Sequence, residues 1–261
     1  GCAMSAVAAQ TWYMTQRQLT AFVRQPAYLL ITLLQPVIWL FLFGNLFRRI
    51  TDLPGFGTGS YLDYLVPGVV VMTALSSSMW AGMGTLEEIE RGTLNRFLTT
   101  PVNRGALMNA NVINNGLSVL VQAVVIILLG LLAGADYAGG AAGLLVLVVA
   151  AILLGTVFGA MSNAIGMVVR QRESIIGINT FLLLPLTFLS SSFMAPALMP
   201  PWMRHVADVN PVDWAVVAGR GALSADPDWG EVLGRGGALL AVAVAAVLLS
   251  TRTFRTYQRS V

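Results

Sequence analysis

Lysine is missing from this chain: all 15 basic residues are arginine. A phosphate-cradling P-loop needs a lysine on the β/γ-phosphates, in the pattern G-x-x-x-x-G-K-[ST]. The chain has no such loop, so any ATP that drives it is hydrolysed by another polypeptide. Genomic codon bias is the plain reading of the arginine preference itself. Cysteine is reduced to Cys2, which excludes an internal disulfide and a thiolate zinc site. Histidine is reduced to His205, which excludes a His–His metal pair. Charge is scarce as well. Only 10% of residues are charged, against roughly a quarter in a soluble domain, too few to cover a water-facing surface.

Apolar residues fill the deficit, at 56% of the chain with a mean hydropathy of +0.75. These values describe an all-α integral membrane protein. Each span takes roughly 20 residues, so the 261 residues accommodate about six. Gly1 to Met4 read as an added leader with Met4 as the natural start, and no signal-peptide layout is expected near the N-terminus. The pI of about 9.4 is assigned to orientation in the membrane rather than to nucleic acid.

Residues 5–25 mix Trp12, Tyr13, Leu19, Phe22 and Val23 with Gln10, Gln16, Arg17, Gln18 and Arg24. That alternation predicts an amphipathic helix at the interface, with its rings at headgroup depth. Spans are expected at about 27–47, 62–83, 108–133, 141–168, 175–194 and 237–251. Pro36 and Pro185 should kink two of them. Asn109, Asn111, Asn114 and Asn115 make the start of the third too polar to face lipid. Residues 195–235, with five prolines and three tryptophans, read as short re-entrant helices on the outer side.

Arginine distribution sets the orientation. With six spans and the N-terminus inside, Arg17, Arg24, Arg91, Arg96, Arg104, Arg170, Arg172, Arg252, Arg255 and Arg259 lie in the cytoplasm. Arg48, Arg49, Arg204, Arg220 and Arg235 lie outside. The balance places both termini in the cytoplasm.

The densest charge in the chain, Glu87 to Arg104, falls between the second and third spans and so faces the cytoplasm. The second span should continue as a helix through Glu88 and Glu90. Gly92 suits the left-handed turn that ends it. Thr93 can cap a second short helix, Leu94, Phe97 and Leu98 give that helix an apolar edge, and Pro101 closes it. On spacing alone, a coupling device lodged in a partner and a merely solvated loop helix fit the insert equally well.

Other chemistry is thinly supported. No acidic residue falls in the middle of an expected span, which weakens proton coupling. An Asp–His pair between His205 and Asp208 or Asp213 is the one enzymatic arrangement to weigh, against a solvated loop. Thr73, Ser76, Ser77 and Met79 in the second span, with Asn179, Thr180, Thr187, Ser190 and Met194 in the fifth, offer small polar and soft surfaces for a cargo path. Packing between helices, where small residues are common in membranes, is the competing reading for each.

The pattern Glu88-x-Glu90-x-Gly92-Thr93-Leu94-x-x-Phe97-Leu98-x-Thr100-Pro101-Val102 resembles the E-x-E-x-G-T-L-x-x-L-L-x-T-P signature of type-2 ABC exporter permeases, particularly the daunorubicin-resistance-like group. Arg17 to Arg24-Gln25-Pro26, then Gln35-Pro36, resembles that family's entry helix and first span. Ser190-Ser191-Ser192-Phe193-Met194-Ala195-Pro196, then Met199-Pro200-Pro201-Trp202, Asn210-Pro211 and Arg220, resembles its region before the last span. Asp213-Trp214 departs from the usual Thr-Tyr there, and Phe97 replaces a common leucine.

The resemblance implies a non-enzymatic transmembrane subunit in a bacterial cytoplasmic membrane, paired with a second permease copy and two ATPase subunits. Those subunits would hold ATP and Mg, with no cofactor on this chain. The interfacial helix and the residues Glu88, Glu90, Arg91, Gly92, Thr93, Leu94, Phe97 and Leu98 would meet the ATPases. The expected cargo is amphiphilic or apolar: a drug-like natural product, a lipid or a lipid-linked glycan. A secondary transporter or channel, or a membrane immunity or assembly factor, is the alternative.

Overall fold

The computed structural model describes residues 5–6, 8–10, 12–13, 16, 34, 37–38, 40–43, 45–46, 61–79, 104–134, 137, 140–169, 171–188, 190, 198–223 and 229–260. Its described elements are all helical: α1 (Tyr61–Met79), α2 (Arg104–Leu132), α3 (Gly140–Val169), α4 (Arg172–Phe188), α5 (Pro201–Asp208), α6 (Pro211–Leu223) and α7 (Trp229–Ser260). Asn115–Leu132, Gly140–Ile165 and Trp229–Arg252 are long and apolar enough to cross a membrane. Leu65–Met79 and Glu173–Leu183 are shorter apolar helices.

α1 is apolar on every side, and a helix of that kind belongs in a core. Leu65, Val66, Val69, Val70, Val71 and Leu75 are all buried. Asp63 lies in its first turn, where a carboxylate complements the positive helix end. α2 ends in a left-handed Gly134 at φ 102°, whose N–H reaches Leu131 O at 3.2 Å. Glycine takes this conformation without a Cβ penalty, and the chain then turns back toward α3.

α3 is the hub and packs against α1, α2, α6 and α7. α2 runs antiparallel to α1, and α6 antiparallel to α3. Asn115 of α2 bonds Ser78 near the end of α1, while Gly130 faces Val66 near its start. Likewise Gly143 of α3 faces Ala222 of α6, and Gly219 faces Leu147. Both glycines are needed for this approach: a Cβ at Gly143 would come within 2.5 Å of the Ala222 carbonyl oxygen.

One feature differs from the sequence reading. The last helix begins at Trp229 and runs to Ser260, well beyond the expected 237–251, so Arg235 and the end of the supposed re-entrant segment belong to it. Arg235 is tolerated inside that helix because it reaches Asp208 at 3.6 Å and Asp213 at 3.9 Å. The helix also passes through Gly234, Gly236 and Gly237, each facing open space. α6 is packed inside the bundle. Val212, Asp213, Ala215, Val216, Ala218, Gly219, Ala222 and Leu223 are buried against α3 and α7.

Among the described residues of 34–46, Leu40 is buried, whereas Leu34, Ile38, Phe41, Leu42, Asn45 and Leu46 are exposed. The exposed residues recur at spacings of three and four and form one helical face.

Candidate functional site

Polar side chains inside this apolar bundle gather at the end of α1. The Met79 carbonyl accepts two side-chain hydrogen bonds from two different helices: one from Ser162 Oγ of α3 and one from Asn179 Nδ2 of α4 at 2.8 Å. One residue earlier, Ser78 Oγ lies 3.1 Å from Asn115 Nδ2 of α2. The same amide nitrogen donates to Gly155 O of α3 at 3.1 Å. The last turn of α1 is thereby tied to α2, α3 and α4 at once.

Glycine makes room for this cluster. A Cβ at Gly155 would lie 2.8 Å from Ser78 Oγ, and one at Gly159 would lie 2.9 Å from Asn115 Nδ2. Ser78, Ser162 and Asn179 are all buried. A buried polar group left unpaired is costly, so the cluster holds together as a unit.

Two other hydroxyls of α1 turn to their own helix. Thr73 Oγ1 donates to Val69 O at 2.8 Å, and Ser77 Oγ approaches Ala74 O at 3.4 Å. Such back-bonding lets a hydroxyl sit in an apolar interior. Of the residues expected to line a cargo path, Thr73, Met79, Asn179 and Ser190 are buried within the chain, Ser76 and Ser77 are half-buried, and Thr180 is exposed. Thr187 lies on α4, with its side chain outside the described residues, as is all of Met194. The structure joins Met79 to Asn179 and turns Thr180 away from them.

The expected coupling residues Glu88, Glu90, Arg91, Gly92, Thr93, Leu94, Phe97 and Leu98 lie outside the described residues. So do Arg17, Arg24 and Pro26. Trp12 and Tyr13 fall on described helical residues and are 64% and 67% exposed, as rings at an interface would be.

A second polar assembly lies two turns further along α4. Asn210 Nδ2 donates to Leu186 O of α4 at 2.9 Å, while its Oδ1 accepts the Val212 N–H at 3.0 Å and starts α6. Trp214 Nε1 donates to Asp208 O at 2.8 Å. His205 is exposed on α5, and both nearby aspartates turn to Arg235, so no Asp–His pair is built there. Between α2 and α3, the Tyr137 hydroxyl donates to Ile127 O at 2.8 Å. Burial, with the Asp63 charge adding, pushes its phenol up to about 12.

Among the described residues, Gln122 Oε1 is a buried side-chain oxygen without a hydrogen-bond partner. Sequence reasoning missed Ser78, Ser162 and Gln122. The signal for Ser162 was available: Ser162-Asn163 is a polar pair inside a long apolar run.

The arrangement is that of a packed helical membrane bundle whose polar groups brace helices against one another. The ABC-2 type transporter family model matches residues 9–223, and the chain belongs to that family. It is 28% identical to the daunorubicin resistance ABC transporter permease DrrB1 of Streptomyces coeruleorubidus, over 98% of this chain and 87% of that protein. It is 28% identical to a putative transport permease, ycf38, of Porphyra purpurea, over 83% of this chain and 74% of that protein. A probable doxorubicin resistance ABC transporter permease, DrrC, of Mycobacterium tuberculosis is 21% identical over 87% of this chain and 81% of its own length. The protein is thus a membrane-embedded transporter permease.

Proposed function

We propose that this chain is the transmembrane subunit of an ATP-driven exporter in a bacterial cytoplasmic membrane, with six spans and both termini in the cytoplasm. Two permease copies form the transport unit, and separate ATPase subunits hold the ATP and Mg. The observation that carries this reading is the family match over most of the chain, joined to relatives described as drug resistance permeases along nearly their whole length.

The chain's own chemistry fits. It lacks the P-loop lysine and concentrates its charge after α1. Closure of the ATPase dimer presses on Glu88, Glu90 and the Leu94–Leu98 helix. α1 and its copy then rock against each other. The cargo is amphiphilic or apolar, because the spans offer hydroxyls and methionines rather than fixed charge. Ser76, Ser77, Thr180, Thr187 and Met194 are the residues we assign to its path, while Thr73, Met79, Asn179 and Ser190 face the interior of the chain.

The test is reconstitution with the cognate ATPase in vesicles, measuring ATP hydrolysis and uptake of an anthracycline together. Glu90→Gln and Gly92→Val should leave the complex assembled and hydrolysing ATP while uptake falls. Wild-type uptake that needs neither ATP nor an ATPase would make the chain a secondary transporter or channel instead.

A further inference from the structure

We propose that Asn179 is a positioning residue for transport, the joint through which movement at the end of α1 reaches α4. The proposal rests on the reading that the charged segment following α1 is gripped by an ATPase. What it adds is the route that the motion takes inside this chain.

The route can be traced bond by bond. Met79 is the last described residue of α1, and Glu87 opens the charged insert eight residues later in the sequence. The Met79 carbonyl receives the Asn179 amide at 2.8 Å. Seven residues further along α4, Leu186 O receives the Asn210 amide at 2.9 Å. Seven residues are two helical turns, so the two ties lie on one face of α4, about 10 Å apart. Asn210 in turn starts α6, which is buried against α3 and α7. α4 is a strut pinned at its middle and near its C-terminal end, with Pro185 between the pins as a place to bend.

Packing alone holds α4 weakly. Ile175 and Asn179 are its buried residues among those described, whereas Ile176, Gly177, Thr180, Phe181 and Pro185 are exposed. The other helices of the bundle carry broad buried faces. Ser78, Asn115 and Ser162 lock α1 to α2 and α3, so those three move together. The Asn179 amide is then a polar tie between that block and α4. Asparagine suits the role because its amide donates, as the carbonyl requires; an aspartate carboxylate in its place would face Met79 O with acceptors only.

The experiment compares wild type, Asn179→Leu and Asn179→Thr, each assembled with the ATPase in vesicles. The reading is anthracycline transported per ATP hydrolysed. Leucine keeps the volume and removes the donor. Threonine can satisfy its hydroxyl within α4, which preserves folding but does not reach Met79. Both variants should keep ATP hydrolysis and lose transport per ATP by about fivefold or more, the lower end of coupling between sites. A merely structural asparagine would change the yield of complex and leave that ratio alone. A wild-type ratio in both variants overturns the joint and spares the exporter reading. Absence of ATP-dependent transport by wild type overturns both.

Discussion

Asp213 of α6 and Arg235 of α7 form an ion pair, 3.9 Å apart, with the carboxylate almost fully enclosed and the guanidinium about a quarter exposed. Breaking such a pair from one side strands a buried charge, which is worse than losing both partners. Arg235→Ala should lower stability by about 2–3 kcal/mol, below the ~3–5 kcal/mol of a fully enclosed pair. The double variant Asp213→Asn/Arg235→Gln should recover part of that loss. Melting of the purified protein in detergent measures both, and equal losses in the two variants would contradict the pairing.

The α3–α6 crossing gives a sharper contrast between glycines. A methyl group at Gly143 would meet the Ala222 backbone at 2.5 Å, whereas Gly236 of α7 faces open space. Gly143→Ala should therefore destabilise by about 1–3 kcal/mol through overpacking. Gly236→Ala should be neutral or stabilising by up to about 1 kcal/mol, from helix propensity alone. Protease resistance of membranes carrying each variant reads the difference, and a reversed order would mean that α6 does not press on α3.

Alkaline pH should loosen the turn between α2 and α3. Burial, then the Asp63 charge, raises the Tyr137 phenol from 10.0 to about 12, so the folded protein retains a proton that the unfolded chain has lost. This contribution is intact below about pH 10 and disappears as pH rises toward 12. Tyr137→Phe should melt lower than wild type at pH 8, since it loses the bond to Ile127 O, and the gap should narrow as pH approaches 12. A gap that stays constant across this range would rule out Tyr137 as the titrating group.

The helical character of the bundle was legible because long apolar runs announce themselves: α2 and α3 cover the stretches expected near 108–133 and 141–168. The start of α7 was not. Gly234, Arg235, Gly236 and Gly237 read locally as a break, and only the pairing of Arg235 with two aspartates from another part of the chain explains the continuous helix. The cluster on Met79 was hidden for a related reason. Its acceptor is a backbone carbonyl, which leaves no trace in a residue pattern, and its donors come from positions 162 and 179. Asn179 was singled out as part of a path surface; its packing inward against Met79, with Thr180 facing outward, needed the relative rotation of α1 and α4.

The 32 residues of α7 make a rod of about 48 Å, longer than the roughly 30 Å of a hydrocarbon core. Its surplus is arginine-bearing, with Arg252, Arg255 and Arg259 on the last turns. Such an end cannot be drawn into oil, and Trp229 marks the other extremity at the height where indoles settle. The rod is therefore long enough to carry its arginine-bearing end beyond the oil.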